Sequence, residues 1–188
     1  RLDGVRATNP VAVGDKVIIE KENNKDTCVI NKVLPRYNVI VRKSVNLSKA
    51  SHIIASNIDQ AILVATIAQP RTSTGFIDRF LVTAEAYHIP TIIVFNKCDL
   101  YDEEQMSHAK ELIDVFENIG YHSFMLSAKT GFQCDELKEI MKDKVSLFSG
   151  HSGVGKSALI NRLDSNLNVR VGDISDVHEK GKHTTKHV

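Results

Sequence analysis

Long apolar runs are what this sequence most clearly lacks. The longest, beginning at Ala61, reaches Ala68 only if Thr66 is counted, whereas a membrane-spanning helix needs about 20 apolar residues. The chain also does not open with the charged and then apolar segment of a secretory signal. We therefore expect neither a membrane span nor secretion.

Cysteine is scarce as well, with three in 188 residues. Cys28, Cys98 and Cys134 lie far apart and form no C-x-x-C pair, which favours free thiols in a reducing compartment over a disulfide framework or a zinc site. Apolar residues make up 42% and charged residues 25% of the chain, as in a soluble globular protein. These features predict a cytoplasmic protein with one ordinary domain and a smaller one.

An excess of charge of one sign is also missing, since the net charge is only +1. The balance nevertheless differs along the chain: residues 1–50 hold ten Lys and Arg against five Asp and Glu, and residues 51–188 hold fourteen against eighteen. The basic first part is either an ordinary solvated surface or a module that contacts nucleic-acid phosphates.

The pattern of the first 50 residues predicts short strands. Residues 16–20, 27–34 and 37–41 are rich in β-branched side chains and are separated by turn-forming residues. A few strands without helical periodicity indicate a small, incomplete barrel. We interpret the polar residues 43–51 as a flexible linker.

From residue 53 onward, strands and helices alternate. Strands are predicted at 60–66, 91–96, 121–126 and 145–148, and helices at 76–87, 103–118, 134–141 and 156–163. Such alternation is typical of a mostly parallel sheet covered by helices on both faces. Residues 166–188 have no clear period and are expected to form a mobile loop.

A phosphate-binding loop follows the last predicted strand. Residues 150–157 fit the pattern G-x-x-x-x-G-K-[ST] and open a helix, the context that this motif requires. Backbone N–H groups and the helix N-terminus would wrap a polyphosphate, Lys156 would reach the β and γ phosphates as a catalytic cation, and Ser157 would bind Mg²⁺. The predicted nucleotide-binding residues here are Gly150, His151, Ser152, Gly153, Val154, Gly155, Lys156, Ser157 and Ala158.

The base is indicated by Asn96-Lys97-Cys98-Asp99, which follows the buried strand predicted at 91–96. In an N-K-x-D site the Asp99 carboxylate accepts from the ring N–H and the exocyclic amino group of guanine, a pair of donors that adenine does not offer. Asn96 would help to fix the loop, and the Lys97 stem would pack on the ring.

A third motif, Ser127-Ala128-Lys129, follows the next predicted strand, where a backbone N–H can donate to the guanine carbonyl oxygen. All three motifs lie at carboxyl ends of strands, where open α/β sheets bind ligands. Their order is unusual, because ordinary GTPases begin with the phosphate loop. The order predicts a circularly permuted, Ras-like P-loop GTPase domain, tolerable because surface connections can move while sheet contacts are kept.

These residues resemble those of the circularly permuted RsgA/YjeQ GTPases, which assist late assembly of the small ribosomal subunit, and the resemblance covers essentially the whole chain. The shared segments are Thr8-Asn9-Pro10-Val11-Ala12-Val13-Gly14-Asp15, Arg42-Lys43-Ser44, Asn57-Ile58-Asp59-Gln60, Phe76-Ile77-Asp78-Arg79-Phe80, the phosphate loop, and Gly181-Lys182-His183-Thr184-Thr185. The fold class it implies is an all-β OB-fold module at residues 1–50, binding ribosomal RNA, before the permuted α/β GTPase domain at 51–188.

The resemblance also implies roles in the segment with Gly181-Lys182-His183-Thr184-Thr185. A threonine, Thr185 in preference to Thr184, would complete the Mg²⁺ shell. His183 would orient the attacking water as a catalytic residue, with an ordinary solvated histidine as the alternative. The family's D-x-P-G motif and its zinc-binding Cys/His module would follow Val188, so Zn²⁺ is assigned to no residue here, and we expect this sequence to be a fragment.

The sequence thus favours a monomeric enzyme that hydrolyses GTP with Mg²⁺, that is stimulated by the small ribosomal subunit and its ribosomal RNA, and that has no membrane partner. A nucleotide-gated RNA-binding protein with little catalysis is the alternative. A P-loop kinase or ATPase is a third reading, against which Asn96-Lys97-Cys98-Asp99 argues.

Overall fold

A computed structural model describes residues 6–7, 10–21, 27–43, 50–164 and 166. Nine strands and four α-helices lie in these ranges. The strands are β1 (Arg6–Ala7), β2 (Val17–Lys21), β3 (Cys28–Val33), β4 (Val39–Lys43), β5 (Ala50–Ser56), β6 (Gln60–Ala65), β7 (Thr91–Phe95), β8 (Ser123–Met125) and β9 (Ser146–Ser149). The helices are α1 (Thr74–Ala86), α2 (Glu103–Asn118), α3 (Cys134–Met141) and α4 (Lys156–Leu163), with a 3₁₀ helix at Cys98–Leu100.

The predicted parallel sheet is confirmed. Four strands lie in the order β8-β7-β6-β9, and all three neighbouring pairs are parallel. Every residue of β6 and β7 is buried, as expected for central strands with helices on both faces. This burial agrees with a mixed α/β architecture.

Alternation along β6 and β7 divides the core into two layers. Ile62, Val64 and Val94 point to one face, where they pack with residues of α3 and α4 such as Leu137 and Leu159. Leu63, Ala65, Ile93 and Phe95 point to the other face and pack against Ile77 and Leu81 of α1 and Phe116 of α2. The two-residue period of the strands therefore supplies a core to each helical layer.

The helices begin where local hydrogen bonds stabilise them. The hydroxyl of Ser73 accepts from the Phe76 amide at the start of α1. At the start of α2, the Asp102 carboxylate accepts from the Gln105 amide while the Gln105 side chain accepts from the Asp102 amide, a complete capping box.

The first part of the chain forms two small sheets in the described residues. Strands β2 and β3 make an antiparallel pair, and β4 pairs with β5, which also pairs with β1. The linker predicted at 43–51 is wrong at both ends, because Lys43 ends β4 and Ala50 begins β5. Hydrogen bonding of β5 with β4 and with β1 stabilises strand structure at these end residues although they are polar or small. The small, incomplete barrel and the domain division at residue 50 stay predictions.

The first part is joined to the parallel sheet by side chains near the β5–β6 turn. The Asn38 amide group donates to the Ile58 carbonyl and accepts from the Ile58 amide, at 2.7 and 2.8 Å. The Asp59 carboxylate accepts from the Tyr37 hydroxyl and from the Val145 amide, the residue that precedes β9. These bonds position the start of the strand that leads into the phosphate loop.

Candidate nucleotide-binding site

Parallel pairing brings the carboxyl ends of four strands to one edge of the sheet. The segments that follow them are residues 66–73 after β6, Asn96 onward after β7, Leu126 onward after β8 and Gly150 onward after β9. The three predicted motifs therefore lie on neighbouring loops, at the edge where open α/β sheets bind ligands.

Asn96 ties the three motifs together. The residue is 1% exposed. Its Nδ2 donates to the Val154 carbonyl of the phosphate loop at 2.8 Å, and its Oδ1 accepts from the Ala128 amide at 3.0 Å. Its side chain thus holds the base loop against both other motifs, and the Ala128 amide is engaged by Asn96 in this structure.

Asp99 is held by the serine of the third motif. The Ser127 hydroxyl donates to Asp99 Oδ1 at 2.6 Å and accepts from the Thr130 amide at 3.1 Å. Ser127 is fully buried, whereas Asp99 is exposed. A buried donor thus orients an accessible carboxylate, the arrangement that recognition of two ring donors requires.

Lys97 lies between the base loop and the loop after β6. Its backbone is left-handed, with φ 68°, and its Nζ donates to the Gln69 carbonyl at 2.6 Å. Burial lowers the pKa of Lys97, and the charge of Asp99 opposes that shift. Its aliphatic stem is therefore placed beside the residue that we expect to read the base.

The glycines of the phosphate loop are required by close backbone approach. At Gly150, with φ 147°, a Cβ would overlap the Val64 carbonyl; at Gly155, with φ 95°, it would overlap the side-chain Nδ2 of Asn96. Only glycine combines these backbone angles with the absence of a Cβ. The loop is thus a cradle with bare backbone, as a polyphosphate site needs.

Lys156 spans this cradle. Its Nζ donates to the carbonyls of Gly150 and His151, at 2.9 and 2.7 Å, and burial lowers its pKa. The ammonium is therefore held at the mouth of the loop. Ser157 and Ala158 follow it in the first turn of α4, both half-buried, so the hydroxyl that would bind Mg²⁺ lies beside the lysine in the chain.

Two features of this site have no signal in the sequence motifs. The His151 ring lies 3.9 Å from the Phe76 ring, centroid to centroid, at a 32° tilt. The Tyr101 hydroxyl donates to the Asn96 carbonyl and accepts from the Ile67 amide. The motifs predict neither the contact between His151 and Phe76 nor the bonds of Tyr101, because residue spacing does not show which side chains of different loops meet.

The structure describes some of the remaining predicted site residues and not others. Lys129 is exposed after β8. Ser152 and Gly153 lie in the phosphate loop, between His151 and the buried Val154. His183, Thr184 and Thr185 lie outside the described residues, so their roles stay predictions. Among the described residues, no group of three or more His, Cys, Asp or Glu side chains could hold a metal ion.

Comparison with known proteins agrees with this geometry. The chain is similar to the small ribosomal subunit biogenesis GTPase RsgA of Bacteroides fragilis, 53% identical over 98% of the chain and 59% of the relative. Its structure is similar to that of YjeQ from Thermotoga maritima, with a TM-score of 0.69 and 41% identity over 85% of the chain and 53% of the other. It is also similar to YloQ, a circularly permuted GTPase, with a TM-score of 0.61 and 32% identity over the same shares.

The chain spans about 59% of the length of the curated relatives that it matches. The sequence model of the RsgA GTPase family matches residues 33–188, which includes all of the loops described above. The permuted order of the motifs, the parallel sheet and these matches lead to one conclusion: the chain belongs to the RsgA GTPase family.

Proposed function

We propose that this chain binds guanine nucleotide, and that the complete protein hydrolyses GTP to GDP and phosphate during maturation of the small ribosomal subunit. The observation that carries the proposal is the Asn96 side chain, which bonds both the phosphate loop and the loop that orients Asp99. Family membership and the names of the relatives support the reaction and the ribosomal role.

The described residues would bind the nucleotide in two parts. Asp99, oriented by Ser127, accepts from guanine, and the Lys97 stem packs on the ring, with the loop of Ala128 and Lys129 beside it. Backbone amides of residues 150–157 and the Lys156 ammonium bind the phosphates and stabilise the charge that develops during transfer.

Mg²⁺ is the metal that fits this proposal. The donor set is a serine hydroxyl, Ser157, beside a phosphate cradle, and hydroxyl, phosphate and water oxygens are the ligands that Mg²⁺ prefers. When bound, the ion neutralises phosphate charge. Thr185 as a second ligand and His183 as the residue that orients water belong to the proposal through resemblance alone. Zn²⁺ stays an expectation from the family resemblance and is assigned to no residue of this sequence.

The first 50 residues are proposed to be an OB-fold module that contacts ribosomal RNA, with the permuted GTPase domain at 51–188. The excess of Lys and Arg in residues 1–50 supports this role, as do the short strands β2, β3 and β4. Among the described residues, no helix is long and apolar enough to cross a membrane. A monomer that acts in the cytoplasm completes the proposal.

GTP hydrolysis by the complete protein, with and without purified small ribosomal subunits, tests the proposal. We expect slow intrinsic turnover, strong stimulation by subunits, and no comparable hydrolysis of ATP. Lys156→Ala should abolish stimulated turnover, and Lys110→Ala, which changes an exposed lysine of α2, is the matched control. Equal rates with and without subunits would contradict the ribosomal role and favour a nucleotide-gated RNA-binding protein.

A further inference from the structure

Tyr101 lies next to the base-reading loop without belonging to any motif. It follows the 3₁₀ helix Cys98–Leu100 and precedes the capping box of α2. Burial, the largest cause, raises the pKa of Tyr101 to about 12. The phenol is therefore protonated at physiological pH and can donate one hydrogen bond while accepting another.

The Tyr101 hydroxyl uses both of these capacities. It donates to the Asn96 carbonyl at 2.6 Å and accepts from the Ile67 amide at 3.1 Å. One phenol therefore connects the loop after β7, which carries Asp99, with the loop after β6.

The bond to Asn96 completes a set of four. The backbone amide of Asn96 donates to the Ala65 carbonyl. In its side chain, Nδ2 donates to the Val154 carbonyl and Oδ1 accepts from the Ala128 amide. Those three partners are backbone groups. Tyr101 is the one partner, among these four, that a substitution can remove without changing the main chain.

A second bond joins the same two loops. Lys97 Nζ donates to the Gln69 carbonyl at 2.6 Å. Gln69 lies two residues beyond Ile67, whose amide donates to the Tyr101 hydroxyl. The loop after β6 is thus held at two points against the residues that we expect to read the base. A site held in its binding geometry before the ligand arrives loses less conformational entropy on binding.

We propose that Tyr101 is a positioning residue of the guanine site: its hydroxyl fixes the Asn96 main chain, and through it the placement of Lys97 and Asp99. The inference rests on the proposed function, because it concerns the same site. Tyr101 acts through Asn96, with no contact to the nucleotide required. Its effect should fall more strongly on the base, because Tyr101 bonds the loop that carries Asp99, whereas the phosphate loop is also held by bonds from Lys156.

Tyr101→Phe tests this role, with Tyr121→Phe as the control. Both changes remove one hydroxyl from a partly buried tyrosine; the Tyr121 hydroxyl donates to Glu85, 3.0 Å away on α1, which belongs to none of the motifs. Dissociation constants for GDP and inosine diphosphate would be measured by calorimetry on the complete protein. Inosine lacks the exocyclic amino group that Asp99 is expected to bind.

We expect Tyr101→Phe, which removes both bonds of the hydroxyl, to weaken GDP binding about five- to tenfold, and inosine diphosphate binding by less. Tyr121→Phe should change neither constant. Equal losses for both nucleotides, or a GDP constant matching that of the control, would overturn the inference. Failure of the unaltered protein to bind GDP would overturn the proposed function, and this inference with it.

Hydrogen exchange provides a second test that needs no variant. The Ile67 amide donates to the phenol, so its exchange reports whether this connection is closed. Adding GDP to the unaltered protein should slow exchange at Ile67 further. Exchange at Ile67 that does not respond to GDP would contradict a connection coupled to the base site.

Discussion

Among single residues, Asn96 has hydrogen-bond partners that its motif does not predict. Its type and position are part of N-K-x-D, and we expected it to help fix the loop. The structure shows which groups it fixes: the Val154 carbonyl and the Ala128 amide, 58 and 32 residues away in the chain. The close approach of Gly155 to Asn96 follows from that bond.

Gly155→Ala is expected to damage the site. The added Cβ would overlap Asn96 Nδ2, and the backbone at φ 95° already disfavours a side chain. The bond from Asn96 to Val154 would be lost, so we expect GDP affinity, measured by calorimetry, to fall at least about tenfold.

The control for this change is Gly120→Ala. Gly120 has nearly the same backbone angle, φ 96°, but a Cβ there would meet nothing within 4 Å. It should lose stability through backbone strain, about 1 kcal/mol, and keep GDP affinity. If Gly155→Ala also keeps its affinity, the contact with Asn96 is unimportant for binding.

Motifs predicted where the loops of the candidate site lie, because chemistry fixes residue types and spacing within one loop; the binding roles of these residues stay predictions. Asn96, Asp99, Ser127 and Lys156 were all assigned from their motifs, and the structure brings their loops to one edge of the sheet. Tyr101 was missed because its partners, the Asn96 carbonyl and the Ile67 amide, are main-chain groups that any sequence possesses.

At the scale of elements, hydrophobic periodicity located the helices well. The predicted bounds of α2, α3 and α4 agree with the structure. Strand β5 was missed because its sequence, Ala-Ser-His-Ile-Ile-Ala-Ser, carries polar residues at its start. Antiparallel pairing with β4 stabilises it, and pairing between strands is not a property of one segment.

The capping box of α2 yields a prediction at this scale. Asp102→Ala removes the acceptor of the Gln105 amide and should lower the free energy of unfolding by about 1 kcal/mol. Denaturant unfolding measures the change. Asp114→Ala, which alters an exposed aspartate inside the same helix, should cost less. Equal losses in the two variants would contradict a capping role.

At the scale of the whole molecule, Asp15 joins the segment before β2 to the β3–β4 connection and to the end of β5. Its carboxylate accepts two bonds from Arg36, both at 2.6 Å, one from the Ser56 hydroxyl and one from the Ala12 amide. Its side chain is 1% exposed. These bonds, the Arg36 bond foremost and against the opposing effect of burial, hold the pKa of Asp15 well below its usual 3.8.

A carboxyl whose pKa is lowered on folding stabilises the folded state above its unfolded pKa, and this contribution is lost as pH falls towards the folded value. We therefore expect the free energy of unfolding to fall below about pH 4, and Asp15→Asn to reduce that dependence. Acid titration followed by denaturant unfolding measures it. Asp78→Asn, at an exposed aspartate of α1, is the control; an identical acid profile in Asp15→Asn would exclude this contribution.

We propose that three loops at one sheet edge form a guanine-nucleotide site in which Asp99 reads the base. Xanthine carries a carbonyl where guanine has its exocyclic amino group, so an amide at position 99 should bind it better, and its oxygen can still accept from Ser127.

The most direct test is to measure GDP and xanthosine diphosphate affinities of the unaltered protein and of Asp99→Asn. The variant should bind GDP at least about tenfold more weakly than the unaltered protein does, and xanthosine diphosphate more tightly. Unchanged GDP affinity in Asp99→Asn would show that Asp99 does not read the base.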